Sequence, residues 1–334
     1  MFQYTIKRLL TIIPIILGIT IIIFFVSQVV PSDPAVTLAG EFATEEQIEE
    51  IRQKYGLDKP IIVQYFNYLT LLIKGDMGTS LFTGNPVSAD IKQYFISTME
   101  LATAAIIISV IIGIPAGILS AIYRNSFLDH LVRILSLVGS SLPVFWLALV
   151  MIAIFYYHLG WFPAVGTIDP SITPPPSITG SIVIDSLLSG NFSAFWSSLH
   201  HIALPAINLG WMGAGLIARV TRSSMLEILE QDYIRTAHAK GVKKIGVIKG
   251  HALKNALLPV ITVIGIAYGN LLAGTVLTES IFNRPGLGKY AVDSMVRFDF
   301  PAVLGVALVM TLSYSLNLIV DLAYGVINPQ IKYK

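Results

Sequence analysis

Six stretches of this chain contain no Asp, Glu, Lys or Arg: Leu9–Val30, Leu101–Tyr123, Ile134–Tyr157, Ile202–Ala218, Ala256–Thr278 and Pro301–Val320. A helix crosses the hydrocarbon core of a bilayer with about 20 residues, the used range being roughly 17–25. All six stretches are long enough, although the fourth is short and holds Pro205. In the first, 16 of 22 residues are Leu, Ile, Val or Phe, each of which favours insertion by about 0.3–0.6 kcal/mol. The composition agrees. The chain is 54% hydrophobic and 13% charged, where a soluble domain carries about 25% charged residues. The reading is an all-α polytopic membrane protein with six transmembrane helices, at about 9–30, 101–123, 134–157, 202–218, 256–278 and 301–322. Lys7 and Arg8 imitate the start of a signal peptide. The apolar run is too long for one, however, and Val29-Val30-Pro31-Ser32-Asp33 lacks a small-x-small cleavage site. The first block is therefore expected to stay as a span.

Charge orients the spans. Lys7 and Arg8 precede the first, Arg124 and Arg133 lie between the second and third, and Lys332 and Lys334 end the chain. Between the fourth and fifth stand Arg219, Arg222, Arg235, Lys240, Lys243, Lys244, Lys249 and Lys254. Fourteen of the 22 basic residues thus fall on one side, while residues 31–50 and 158–201 hold none. The positive-inside rule places both termini and the 219–255 loop in the cytoplasm. Arg284, Lys289 and Arg297 oppose this weakly. The domain reading is residues 1–30 as N-terminus and first span, 31–98 as a small folded extracytoplasmic region, and 99–334 as the core membrane domain.

The loops carry local signals. Thr44-Glu45-Glu46-Gln47 reads as a capping box opening a short helix that stops at Gly56. A second short helix is expected near Pro60, then turns at Gly75-Asp76-Met77-Gly78. The 160–200 stretch, with Pro174-Pro175-Pro176, is expected to be extended apart from a short helix at 182–188. In the 219–255 loop, Leu226, Leu229, Tyr233 and Ala237 recur at helical spacing. They predict an amphipathic helix from about Ser224 to Lys240, capped by Gly241. Contact with anionic lipid and docking to a protein are equally open for it on physical grounds.

Few residues point to chemistry. With no cysteine, thiolate metal sites, disulfides and cysteine nucleophiles are excluded. A net charge of +2 gives no reason for a nucleic-acid partner. Gly241-Val242-Lys243-Lys244-Ile245-Gly246 is followed by Val247-Ile248, not by the Lys and hydroxyl of a phosphate-binding loop. No catalytic residue and no metal site is expected. His200 and His201 are adjacent, so a helix would aim them about 100° apart, which suits a rim position better than a metal. Asp321 is the charge nearest a membrane interior. It is either a proton-relay acid or, the simpler reading, the partner of a basic residue such as Arg219 or Arg133. Ser140, Ser141, Asn208, Asn270 and Asn317 are candidates for lining a path, or equally for bonding between helices. The pairs Gly113/Gly117 and Gly265/Gly269 let helices approach closely.

A resemblance covers nearly the whole chain. Asp232-Tyr233-Ile234-Arg235-Thr236-Ala237-His238-Ala239-Lys240-Gly241, followed by His251-Ala252-Leu253-Lys254-Asn255-Ala256-Leu257-Leu258-Pro259, resembles the permeases of ATP-binding cassette (ABC) importers in their dipeptide/oligopeptide/nickel branch. Importer permeases carry E-A-A-x-x-x-G-x9-I-x-L-P in this loop. Here Gly241 and Leu253 match, while His251 stands for Ile, Arg235 for Glu and Lys254 for Pro. The departures at Arg235 and Lys254 are usual in this branch. Pro31-Ser32-Asp33-Pro34, Tyr55–Pro60, Gly75–Ser80, Ser141-Leu142-Pro143, Arg219–Met225 and Phe282–Gly288 are similar to further branch motifs, in order.

The resemblance implies a type I importer permease fold of six spans with a cytoplasmic coupling helix between spans 4 and 5. It implies a second permease, two ATPase subunits that bind ATP and Mg, and an extracytoplasmic binding protein delivering di- or oligopeptides. Asp232, Tyr233, Arg235, Thr236, Ala237, Lys240 and Gly241 would meet an ATPase subunit. This chain would bind no cofactor and hydrolyse nothing. The alternatives are a nickel-complex importer of the same branch and a stand-alone proton-coupled transporter using Asp321. The latter calls for inverted repeats, and none is visible.

Overall fold

The computed structural model of the chain describes residues 2–29, 35–36, 43–55 and 58–315. Pro31-Ser32-Asp33-Pro34, Gly56, Asn317, Asp321, Lys332 and Lys334 lie outside the described residues. The described chain is helical, with a single isolated bridge between Thr79 and Pro86. The helices are α1 (Phe2–Val29), α2 (Glu45–Tyr55), α3 (Ile61–Ile73), α4 (Val87–Ile122), α5 (Phe127–Ser141), α6 (Val144–Met151), α7 (Ile182–Leu188), α8 (Phe192–Leu229), α9 (Asp232–Ala239), α10 (Leu253–Gly274), α11 (Val276–Ile281), α12 (Leu287–Val296) and α13 (Phe300–Ser315).

By length and composition, three described helices can cross a membrane: Val87–Ile122, Phe192–Leu229 and Lys244–Leu272. Phe127–Ser141 and Val144–His158 add a fourth if counted together, but they are bent by 107°. This corrects the single helix expected over 134–157. Pro143 brings no N–H and pushes Leu142 out of helical geometry; Leu142 is extended, with ψ of 136°. Beyond α6 the chain continues as a π-helix, Ile152–His158. The fifth expected span starts and ends earlier, since its helix runs through Lys244–Leu272 and α10 ends at Gly274 before α11 begins at Val276. The fourth is longer, because α8 carries Pro205 inside a 38-residue helix.

Packing divides the described chain into residues 1–95 with 290–315, and residues 96–289. In the first unit α1 packs along α13. The capping box forms as expected: Gln47 N–H donates to Thr44 Oγ1 at 3.4 Å, and Thr44 N–H donates to Gln47 Oε1 at 3.0 Å. Pro60 is the N-cap of α3. The turns after α3 hold Gly75 and Gly78 at φ +82° and +81°, and the Asp76 carboxylate accepts from Gly78 N–H. Two buried carboxylates anchor this segment. Asp299 accepts from Ser80 Oγ at 2.5 Å and from Phe82 N–H at 3.2 Å. Asp90 accepts from Thr83 Oγ1, Asn85 Nδ2 and Tyr290 Oη.

In the second unit, α8 is the central helix. It meets α4 where glycines allow it. A Cβ on Gly113 or Gly117 would lie 2.8 or 2.5 Å from the backbone oxygen of Ala214 or Ala218. The close-packing reading of that pair holds. Ser109 Oγ also donates across the seam to Gly210 O at 2.9 Å. The 160–190 stretch is irregular apart from α7, which occupies Ile182–Leu188 as the sequence predicts.

Candidate coupling surface and the polar clusters around it

The predicted amphipathic helix is present but starts later than expected. α8 runs to Leu229, Glu230 and Gln231 break it, and α9 begins at Asp232. Residues 224–229 belong to α8. At its far end α9 closes as the spacing predicts. Gly241 has φ +77°, its N–H donates to His238 O at 3.0 Å, and Val242 N–H donates to Ala237 O at 3.2 Å. These two bonds form a Schellman cap, which needs a left-handed residue that Gly supplies without strain. A short turn at Lys244–Gly246 and a π-helical stretch, Val247–Ala252, then lead into α10.

The buried face of α9 is Ile234 and Ala237. They pack with Ala121 of α4, Met225 of α8, and Val247, Ala252 and Ala256. Tyr233, which the spacing assigns to that face, is 42% exposed instead, with its hydroxyl accepting from Asn255 Nδ2 at 2.9 Å. Asp232, Arg235, Thr236, Lys240 and Gly241 are exposed. Ala237 therefore looks inward, and a bulky residue there would disturb the chain's own packing. Arg235 Nη1 lies 3.3 Å from Asp232 Oδ1, with side chains 74% and 95% exposed. Such a pair contributes only about 0–1 kcal/mol.

Next to this surface lies a buried ion pair that the sequence reading missed. Arg222 of α8 grips Asp129 of α5 with two bonds, Nε–Oδ1 at 2.7 Å and Nη2–Oδ2 at 2.8 Å. Asp129 is fully buried. It also accepts from Ser120 Oγ of α4 and from Asn125 N–H. Ser126 caps α5 by accepting from Asp129 N–H. Three helices thus converge on one carboxylate, and one of them, α8, is joined to α9 by a two-residue break. A signal existed: Ser126-x-x-Asp129 is a helix start, and Asp129 is the sole acid between spans 2 and 3.

A second cluster gathers around Arg284, which is 2% exposed. Its Nη2 pairs with Glu100 Oε2, while its Nε and Nη1 have no hydrogen-bond partner among the described residues. Burial pushes its guanidinium pKa down, and Glu100 and Glu279 oppose that. Glu100 also accepts from Ser181 Oγ at 2.8 Å and Val183 N–H at 3.1 Å. Glu279 accepts from Thr98 and Thr275 hydroxyls, both at 2.7 Å, and from Lys289 N–H at 3.0 Å. The Phe282–Gly288 motif has a physical reason here. A Cβ on Gly286 would lie 2.1–2.3 Å from the Glu279 carboxylate. Arg284 is consequently a buried, paired charge.

The remaining predicted residues fall as follows. Ser140 Oγ donates to backbone oxygens of its own helix and accepts from Arg219 Nη2 at 3.3 Å; Ser141 Oγ donates to Leu137 O. Asn208 is fully buried, and its Nδ2 donates to Thr278 Oγ1 at 3.5 Å. Asn270 is exposed. His200 and His201 sit on α8 and line a cavity of about 850 Å³ with Trp196, Phe162 and Asp169. His200 Nε2 meets Trp161 O and His201 Nδ1 meets Ser197 O. No group of residues able to hold a metal ion occurs among the described residues. Asp185 of α7 accepts from Thr179 Oγ1 and from the amides of Ile178, Thr179 and Gly180 in the loop before it. Burial alone would raise its pKa, but these bonds outweigh burial and hold it below the ordinary value.

Residues 113–333 match the family model of binding-protein-dependent transport system inner membrane components, and residues 1–102 match the N-terminal model of the same membrane components. The chain belongs to this family. It is a permease subunit of an ABC importer, a multi-pass membrane protein that is not itself an enzyme. It is 46% identical over 95% of its length to the probable D,D-dipeptide transport system permease protein DdpB of Escherichia coli K12, covering 94% of that protein. It is 46% identical over the full length of both chains to the dipeptide transport system permease protein DppB of Alkalihalophilus pseudofirmus. The glutathione transport system permease protein GsiC of Salmonella typhimurium is 38% identical, again over both full lengths. Among solved structures, a chain of the inward-facing MetNI methionine ABC transporter matches with a TM-score of 0.52 and 17% identity, over 71% of this chain and 96% of that one. That likeness concerns the fold.

Proposed function

We propose that this permease carries dipeptides, forming half of a membrane path driven by ATP hydrolysis in separate subunits. Full-length relatives at 46% identity named for dipeptide transport support the cargo. The family supports the assembly: a second permease, two ATPase subunits holding ATP and Mg, and an extracytoplasmic binding protein. In this reading the chain has six spans, with α1 and α13 as the first and last. Both termini and α9 are cytoplasmic, and residues 31–98 are extracytoplasmic.

One observation carries the coupling assignment. α9 is a short helix capped at its C-terminus, packed inward through Ile234 and Ala237, with its charged residues exposed. An ATPase subunit would meet Asp232, Tyr233, Arg235, Thr236 and Lys240. Push on α9 passes through two residues into α8, and the Asp129–Arg222 bond carries it to α4 and α5. Of the candidates for the path, exposed Asn270 fits best, while Asn208 is buried between helices.

The test is purification from the membrane followed by ATP hydrolysis assays. The expected result is a complex with a second permease and two ATPases. Its hydrolysis rises with dipeptide-loaded binding protein and stays low with the empty form. A chain that purifies alone and takes up substrate on a proton gradient would sink the proposal.

A further inference from the structure

Helix α3 has an unusual surface for a segment outside the long spans. Its sequence, Ile61–Ile73, has no charged residue, and charges stop at Lys59 and resume at Lys74. None of its residues is buried by the chain. Ile62, Phe66 and Ile73 are 68%, 61% and 87% exposed. Ile61, Ile62 and Val63 are all exposed in succession. At about 100° per residue the three together span about 200° of the helix circumference. The neighbouring α2 is the opposite, with Glu45, Glu46, Glu49, Glu50 and Arg52 along it.

Water is a poor environment for such a surface, since exposed apolar patches of this kind mark contact with protein or membrane. An apolar helix of 10–14 residues is too short to span, and is either a core helix or an interfacial or re-entrant segment. The lack of buried residues removes the first option.

The contacts of α3 with α1 set its depth. Tyr65 Oη lies 3.1 Å from Thr20 Oγ1, and its ring is 5.3 Å from that of Phe24. Phe24 also stacks on Tyr68 at 6.2 Å. α1 ends at Val29. At 1.5 Å per residue, Phe24 and Thr20 are about 8 and 14 Å from that end along the axis. Half of a ~30 Å hydrocarbon core is about 15 Å, so α3 meets α1 at the depth of a single leaflet.

We infer that α3 is embedded in the leaflet where α1 ends. Acyl chains cover its apolar surface, and Lys59 and Lys74 reach the headgroup phosphates from its two ends. Tyr65 and Tyr68 face α1, and beside that contact Ile62, Phe66 and Ile73 form an exposed apolar flank bounded at both ends by lysine, the pattern of a helix lying among acyl chains. Long basic side chains at the ends of an immersed helix extend naturally to the interface. The inference needs α1 to be a span, but it is independent of what the transporter carries.

The chain has no cysteine, so single substitutions can place a nitroxide at chosen sites. Ile62→Cys, Phe66→Cys and Ile73→Cys report on α3, Ile22→Cys on α1 and Glu50→Cys on α2. The labelled complex is reconstituted in liposomes of phosphatidylethanolamine and phosphatidylglycerol. Collision with dissolved oxygen is compared with collision with a water-soluble nickel chelate. The expected result is an oxygen-to-nickel ratio on α3 severalfold above Glu50→Cys and close to Ile22→Cys. A ratio on α3 equal to that at Glu50→Cys makes the helix aqueous and overturns the proposal. Exclusion of both reagents makes a protein its cover and overturns it equally. An aqueous signal at Ile22→Cys would remove the span and the proposal together.

Discussion

Two arginine–aspartate pairs differ in almost every physical respect. Arg222–Asp129 is bidentate, with the carboxylate fully buried and the arginine side chain 20% exposed. Arg235–Asp232 is a single contact at 3.3 Å on an open helix surface. The first joins three helices; the second joins two neighbours on one turn. Charges in the interior must be satisfied by their own chain, because an unpaired buried charge is costly. Charges on α9 have no such obligation and are free for a partner. The same residue types therefore hold the permease together in one place and face outward in the other.

Removing one partner of the buried pair is the strongest way to challenge this contrast. Asp129→Ala is expected to cost about 3–5 kcal/mol, because Arg222 and the Ser120 hydroxyl lose their acceptor. Thermal unfolding of the purified complex, or loss of the chain from membranes, measures it. A variant as stable as the parent would make the buried pair no different from the surface one. Gly241→Ala should cost roughly 1 kcal/mol or somewhat more, since a Cβ is strained at the left-handed position that closes α9. A local rise in hydrogen exchange at 232–241 would report it. Arg235→Ala should change stability by less than about 1 kcal/mol. A larger loss would mean the surface pair is structural after all.

The stretch around α7 offers a pH comparison. The carboxylate of Asp185 is held below its ordinary pKa by four donors. Because the folded value is depressed, its contribution is fully present above the unfolded value of about 3.9. It is lost as pH falls through the folded value. Protease cutting within 170–190 should therefore rise below about pH 4 in the parent. Asp185→Asn should be cut more readily already at neutral pH, with little further change on acidification.

Much of this was legible in the sequence where a residue has one local role. Thr44 and Gln47 cap α2, Pro60 opens α3, Gly241 ends α9, and Gly113 and Gly117 admit α8. The bend at Pro143 was hidden because the apolar block runs through it without a charge. The start of α9 was hidden because Leu226, Leu229, Tyr233 and Ala237 keep helical spacing across Glu230 and Gln231, and no Gly or Pro marks the break. Asp129, Glu100 and Glu279 were missed for another reason. Glu100 and Glu279 stand at the edges of apolar blocks and Asp129 between two of them, so all three read as loop charges, and only the packing of α4, α8 and α11 reveals the donors around them.

Under the proposed function, the exposed face of α9 transmits force from an ATPase subunit while its buried neighbours only hold it. The direct measurement is binding-protein-stimulated ATP hydrolysis and dipeptide uptake by the reconstituted complex carrying Arg235→Glu and Lys240→Glu. Reversing two exposed charges should leave the permease folded and inserted. It should lower stimulated hydrolysis and uptake at least roughly tenfold, the ratio set by about 1.4 kcal/mol of lost or repelled contact. Full stimulation and normal uptake with both charges reversed would contradict the assignment of α9 as the coupling surface.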